Sequence, residues 1–155
     1  MSVPDLISLI TPIAEFCAGK DVDAALMAEL NRRFPGDGPD FAAIAACLAE
    51  GIDAGDFCGK DAGGIRFSRP AKPSAATFGF SVDVVAYGDL AGPHHIHPTG
   101  EIDMIVPVDE AATFDGHGRG WLVHGPGSGH RPTITGGMAI VLYLLPQGAI
   151  QFTGA

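Results

Sequence analysis

The sequence is short of the residues on which several function classes depend. Of 155 residues only 9 are Lys or Arg, against 18 Asp or Glu, and the formal net charge is -9. A protein that grips nucleic acid by its phosphates needs clustered basic side chains, so this balance argues against a nucleic-acid partner. Cysteine is scarce as well. Cys17, Cys47 and Cys58 are odd in number, widely spaced and without a CxxC pair, which argues against a disulfide framework. Cys17 and Cys47 fall on apolar helical faces and read as small buried hydrophobes, whereas Cys58 lies near a turn. No apolar run approaches the length of a membrane span, and Met1-Ser2-Val3-Pro4-Asp5 has neither the basic start nor the apolar centre of a secretion signal. The expectation is a cytoplasmic protein with no membrane partner. No internal repeat and no glycine-rich loop opening a helix points to a nucleotide.

What is present divides into two parts. Residues 1–60 read as about three helices packing on or beside residues 61–155, which read as a small β-barrel. Ser2 can cap a first helix with Pro4 in its first turn, and Leu6, Leu9, Ile10, Ile13, Ala14 and Cys17 recur at three- and four-residue spacing. Pro12 sits inside that pattern and is expected to kink or split the helix, because it has no amide proton to donate. A second helix is expected from about Val22 to Arg33, ended by Pro35-Gly36-Asp37-Gly38, and a third after Asp40 with Phe41, Ile44, Ala45, Leu48 and Ile52 inward. Short alternating strands separated by Gly and Pro follow. Phe78, Phe80, Val82 and Val84 alternate with Gly79, Ser81 and Asp83, so one face of that strand packs and the other is expected to be free. Further strands are expected at Ile65–Ser68, Glu101–Val106, Ala112–Asp115, Gly120–His124, Met138–Leu145 and Ala149–Thr153.

All six histidines lie between positions 94 and 130. In an extended segment alternate side chains share a face, so His95 and His97 can grip one ion while His94 points away. The turn Pro98-Thr99-Gly100 lets Glu101 return toward the imidazoles, and His130 arrives from a later strand after Pro126-Gly127. The segment HxHxxxE followed by PGxxH resembles the two-part signature of the cupin superfamily, whose fold is a small double-stranded β-helix or jelly roll. The expected chain is therefore mainly β with a helical N-terminal part, and His95, His97, Glu101 and His130 are its expected metal ligands. Three imidazoles and a carboxylate suit a single divalent ion, Fe, Mn, Ni, Co or Zn, and ligand type does not choose among them. Four protein ligands on a six-coordinate ion leave positions open for water or substrate.

Around this set, Asp103 shares strand parity with Glu101 and is a candidate proton carrier or imidazole orienter. Asp83 and Tyr143 are further catalytic candidates, because polar groups on otherwise apolar strands need a reason. His117 reads as a solvated hairpin residue, and His124 either stands behind the ligands or lies at the surface. Arg66 and Arg69 flank Phe67 and are the candidate anchors for a substrate carboxylate. Arg131, of opposite parity to His130, is expected to point outward. Phe78 and Phe80 are core residues first and pocket wall second.

Several stretches carry a narrower likeness. Gly64-Ile65-Arg66-Phe67, Phe80-Ser81-Val82-Asp83-Val84-Val85, Asp89-Leu90-Ala91-Gly92-Pro93-His94-His95-Ile96-His97-Pro98, Gly100-Glu101-Ile102-Asp103, Pro126-Gly127-Ser128-Gly129-His130-Arg131-Pro132 and Val141-Leu142-Tyr143-Leu144-Leu145-Pro146 resemble the 4-hydroxylaminobenzoate lyase family. The resemblance implies conversion of 4-hydroxylaminobenzoate, a small aromatic carboxylate, to 3,4-dihydroxybenzoate with release of ammonia. Two other readings stay open. One is a non-haem iron dioxygenase or another cupin enzyme on an aromatic or carboxylated small molecule. The other is a cupin sensor with a winged-helix part, made of the three helices, the turn Asp61-Ala62-Gly63-Gly64 and strand Ile65–Ser68. Its recognition helix around Phe41–Ile52 has no Lys or Arg, which counts against it. The simpler role for the helices is to cover an open barrel end or to build the contact of a homodimer.

Overall fold

The computed structural model describes residues 2–155. Three helices come first: α1 (Val3–Cys17), α2 (Ala24–Arg33) and α3 (Pro39–Ala54). The strands follow as β1 (Lys60–Ala62), β2 (Ile65–Ala71), β3 (Phe80–Ala91), β4 (His95–His97), β5 (Glu101–Pro107), β6 (Thr113–Phe114), β7 (Gly120–His124), β8 (Ser128–His130), β9 (Thr133–Pro146) and β10 (Gln151–Phe152). No helix among the described residues is long and apolar enough to cross a membrane.

The helix ends follow from their caps. The Ser2 amide and hydroxyl both donate to Asp5 Oδ2, at 2.8 Å each, closing a capping box on α1. Of the two outcomes expected at Pro12, splitting does not occur: α1 runs through it. It costs the helix one backbone hydrogen bond, while Leu6 and Ile10 before it and Ile13, Ala14 and Cys17 after it are buried in a common core, at about 1.5–3 kcal/mol for each large side chain. Asp23 caps α2 by accepting from Leu26 N at 2.9 Å, so the helix starts two residues later than the apolar pattern alone suggests.

The strands form a seven-stranded antiparallel sheet, in order β1-β2-β3-β9-β5-β7 with β6 also on β9, and a three-stranded sheet β10-β4-β8. The pairings β3 with β9, β4 with β8 and β5 with β7 are nested, as in one long hairpin ribbon folded over so that its middle section crosses to the second sheet. That is a double-stranded β-helix, the cupin-type architecture expected from the histidine signature.

The large sheet has two differently employed faces. Phe80, Val82, Val84, Ile102, Met104, Leu142 and Leu144 pack against Leu6, Ile10, Leu30, Phe41, Ile44 and Leu48 of the helices. Asn31 on α2 locks this layer to β7 by bonding both the amide and the carbonyl of Trp121, at 2.9 and 3.0 Å. The other face carries Tyr87, Ile105, Leu122, Val141, Tyr143 and Leu145 and looks into the space between the sheets. The alternate face of β3, expected to be free, is therefore part of the interior. Ser81 and Tyr87 are buried on it. Phe80 is core beneath the helices, while Phe78 precedes the strand in a left-handed turn (φ 52°) and is exposed, so neither lines the interior. The three helices do not make a winged helix: α3 buries Phe41, Ile44, Leu48 and Ile52, and the β1–β2 hairpin continues the large sheet.

Candidate metal centre and cavity

The two histidine motifs meet because β4 and β8 are paired in register, His95 opposite His130 and His97 opposite Ser128. The Gly127 amide donates to the His97 carbonyl at 2.7 Å and fixes the approach of the second motif to the first. Glu101 is brought back by a turn in which the Gly100 amide donates to the His97 carbonyl at 3.2 Å. Gly100 adopts φ 94°, and a Cβ there would stand 2.7 Å from Val22, so both backbone and space require glycine.

The outcome is a converging donor set. Glu101 Oε1 lies 3.2 Å from His95 Nε2, and Glu101 Oε2 lies 3.3 Å from His97 Nε2 and 3.5 Å from His130 Nε2. His95 Nε2 and His130 Nε2 face one another at 3.1 Å. One potential ligand atom from each of the four residues lies within 4.8 Å of all the others. His95, His97 and Glu101 are at most 2 % exposed. The remote nitrogens decide which lone pairs face inward. His97 Nδ1 donates to Ser128 Oγ at 3.0 Å, while the Ser128 hydroxyl proton goes to the Gly125 carbonyl. His130 Nδ1 donates to Asp115 Oδ2. A neutral imidazole with its proton on Nδ1 presents a bare lone pair on Nε2. His97 Nε2 and Glu101 Oε2 are buried with no hydrogen-bond partner among the described residues, a costly arrangement for polar atoms unless a cation draws them together. The residues thus fit a divalent ion on this donor set.

Burial and the close approach of charged groups set the protonation of the cluster. Burial pushes the Glu101 carboxyl up, but the His130, His95 and His97 imidazoles gathered around it outweigh that and hold the group well below the usual carboxylate range. Asp103, wholly buried beside Glu101, is driven the other way by burial and by the Glu101 charge. Its Oδ2 lies 3.3 Å from His124 Nε2. Burial, with the neighbouring His130 charge, pushes His124 down to about 4. Burial pulls His130 down, but the Asp115 and Glu101 carboxylates beside it outweigh that and raise it to about 9, so a cation binds there by displacing the proton on Nε2.

Beside the donor set opens a cavity of about 650 Å³. Ile65, Phe67, Val85, Tyr87, Leu145 and Phe152 make it largely apolar, and His95 presents the donor set to it. Tyr143 lines it, and its hydroxyl makes no hydrogen bond among the described residues; burial holds the phenol well above its ordinary pKa, so it stays a donor. Asp83 and Arg69 are at the wall as a pair, with Arg69 Nε on Asp83 Oδ1 at 2.6 Å. Arg69 also donates to the Gly148 carbonyl at 3.2 Å, and Ser81 Oγ donates to Asp83 Oδ2 at 2.7 Å. Arg66 is not among the lining residues; it alternates with Ile65 and Phe67 on β2 and its charge is felt by Cys58 instead. Lys60, from a strand that the sequence pattern does not announce, lines the cavity.

His94 bonds Thr153 Oγ1 at 2.7 Å, away from the cluster, and His117 is exposed. His124 belongs with the site: its ring stacks on His97 at 5.0 Å between centroids, and it sits opposite Glu101 in the β5–β7 register. Strand parity with Leu122 was its available signal. Asp115 had none, since nothing local ties a turn aspartate to a histidine on another strand.

A profile of the family described as "PnbB: 4-hydroxylaminobenzoate lyase" matches residues 8–152. The chain is 30% identical over 166 residues to the 4-hydroxylaminobenzoate lyase of Pseudomonas putida, covering 96% of this chain and 94% of that protein. It is 32% identical over 163 residues to the protein of the same name from Nocardioides sp. (strain LMS-CY), covering 98% and 96%. Among solved structures, an RmlC-like cupin protein from Ralstonia eutropha JMP134 aligns over 59% of this chain and 60% of its own, with 14% identity and a TM-score of 0.43.

Proposed function

The chain belongs to the 4-hydroxylaminobenzoate lyase family, and on that footing we propose that it converts 4-hydroxylaminobenzoate and water to 3,4-dihydroxybenzoate and ammonia, using a divalent metal ion held by His95, His97, Glu101 and His130. The observation that carries the reading is the convergence of three imidazole Nε2 atoms and a buried carboxylate behind a largely apolar cavity whose wall includes His95. The reaction is redox-neutral, because consumption of the N–O bond balances hydroxylation of the ring. It needs no nicotinamide or flavin.

When bound, the ion supplies Lewis acidity toward the hydroxylamine oxygen and lowers the pKa of coordinated water. The chain does the rest. Ile65, Phe67, Val85 and Leu145 clasp the aromatic ring and keep bulk water from it. Arg69, oriented by Asp83 and the Gly148 carbonyl, faces the ring carboxylate, with Lys60 on the same cavity. Asp83 thereby serves to hold Arg69 rather than to move a proton. Tyr143 offers its phenolic proton to the departing nitrogen or oxygen, and Asp103, behind Glu101, is the second proton carrier.

The test is reconstitution with Fe(II), Mn(II), Ni(II), Co(II) or Zn(II) in turn, followed by 4-hydroxylaminobenzoate without oxygen. Equimolar ammonia and 3,4-dihydroxybenzoate are expected with at least one ion. Failure with every ion, or turnover only with consumption of dissolved oxygen, overturns the reading, and the second outcome would point to a dioxygenase.

A further inference from the structure

Two aspartates of this fold sit in the left-handed region and hold backbone amides of β9. Asp89 (φ 46°) accepts from the Gly136 amide at 2.9 Å, and Asp115 (φ 49°) accepts from the Thr133 amide through Oδ1, also at 2.9 Å. Asp and Asn tolerate this backbone conformation better than most residues. As turn braces the two are alike. They differ in the second carboxylate oxygen: Asp115 Oδ2 receives the Nδ1 proton of His130, whose Nε2 faces His95 and Glu101.

We propose that Asp115 is the positioning residue of the metal centre, fixing the His130 tautomer and ring orientation so that Nε2 presents its lone pair to the ion. The inference rests on the metal reading of the four-residue donor set but not on the identity of the substrate. Of the three imidazoles, His97 is oriented by Ser128, a neutral acceptor on the adjoining strand, and the Nδ1 of His95 is buried without a partner among the described residues. His130 is braced at Nδ1 by a carboxylate, and it is the most exposed of the three imidazoles, at 13%. Asp115 restrains it from outside the motif, through a turn anchored at both ends: the Asp115 amide donates to the Thr133 carbonyl at 2.8 Å while Oδ1 accepts from the Thr133 amide. A carboxylate suits this place because both neighbours, His130 Nδ1 and Thr133 N, are donors. The amide of an asparagine can accept from one of them and must turn its NH2 toward the other. Carboxylates behind metal-bound imidazoles typically contribute about 10- to 100-fold to metal affinity.

The test compares wild type with D115N, D115A and, as a brace control, D89N. Zn(II) affinity is measured by chelator competition and Co(II) binding by its visible absorption spectrum, alongside melting of the metal-free proteins. D115N is expected to bind Zn(II) about 10- to 100-fold more weakly than wild type, with an altered Co(II) spectrum, and D115A more weakly still. D89N is expected to lower the melting temperature of the metal-free protein about as much as D115N does while keeping wild-type metal affinity. Metal affinity and spectrum in D115N equal to wild type, or lowered equally in D89N, overturn the inference, as does a wild-type protein that binds no divalent ion. Weaker, spectrally altered binding by D115N supports it whether or not ammonia is released, so failure of the proposed reaction is read separately.

Discussion

His95 and His130 lie directly opposite one another on β4 and β8, with their Nε2 atoms 3.1 Å apart. At that distance two neutral lone pairs repel, and a proton or a cation must lie between or beside them. The β-helix enforces the approach through backbone pairing, so the site is assembled by the fold before any ion arrives. Removing either imbalances the donor set without breaking the strand pairing. His95→Ala and His130→Ala are each expected to keep the fold, to lower metal affinity by at least about 100-fold and to abolish ammonia release. Metal analysis after gel filtration, with circular dichroism for the fold, checks this.

Tyr143 separates binding from chemistry. It lines the cavity, its hydroxyl makes no hydrogen bond among the described residues, and its ring packs beside Phe114 at 6.3 Å between centroids. Tyr143→Phe keeps that packing and removes one proton donor. Metal content and KM are expected to stay within about twofold of wild type while kcat falls about 100-fold or more. Steady-state kinetics on the reconstituted protein decide it.

Arg69 should behave in the opposite way. Its side chain is about one-third exposed, at 36%, and its pairing with Asp83 adds little stability in that setting, about 1 kcal/mol or less. Arg69→Ala is expected to raise KM for the carboxylated substrate by about 10-fold or more, with a smaller change in kcat and a melting temperature close to wild type. Replacing the substrate carboxylate by a methyl ester should shrink the difference between variant and wild type. A KM unchanged by the substitution would remove Arg69 from the carboxylate site.

The gathering of His95, His97 and Glu101 was legible in the sequence because its information is local: strand parity puts His95 and His97 on one face, and Gly100 returns Glu101 to them. Parity also separated His94 from the cluster. What the sequence hid is what only register reveals. His124 was left between a place behind the ligands and one at the surface, and its pairing opposite Glu101 decides for the former; Asp115 joins the site by a turn that reaches back to Thr133. Similarly, the apolar face of β3 was visible, but not that helices would cover it and leave Ser81, Asp83 and Tyr87 facing the interior. Pro12 left open whether α1 splits because helix propensity is a local penalty, and the penalty is outweighed where apolar residues on both sides are buried together.

Gly51 tests the helical layer independently of the site. Its carbonyl accepts the Asp56 and Phe57 amides at 2.7 and 3.2 Å, folding the end of α3 back so that the Phe57 ring covers the glycine. A Cβ at Gly51 would overlap that ring, which is buried and cannot swing out freely. Gly51→Ala is expected to destabilise the protein by about 1–3 kcal/mol, lowering the melting temperature by about 3 to 10 °C, with metal affinity unchanged. A melting temperature equal to wild type would show that α3 shifts to admit the methyl group.

The buried thiols set an alkaline limit to stability. Burial pushes Cys17 from 9.0 up to about 12 and Cys58 from 9.0 up to about 11, and Cys58 Sγ also donates to the Val84 carbonyl at 3.5 Å. In the folded protein these groups keep their protons where the unfolded chain has lost them. The unfolded state therefore binds fewer protons above about pH 9, and stability falls as pH rises from there toward the folded values; below that window the thiols have no effect on it. Denaturant midpoints at pH 8, 9 and 10 are expected to fall between the last two values more than between the first two. Cys17→Ala/Cys58→Ala, although less stable throughout, should lose part of that difference. Because the thiolate is the reactive form, native protein at pH 8 is expected to resist a thiol reagent that titrates all three free cysteines once unfolded. Rapid labelling of Cys17 or Cys58 in folded protein would overturn the argument.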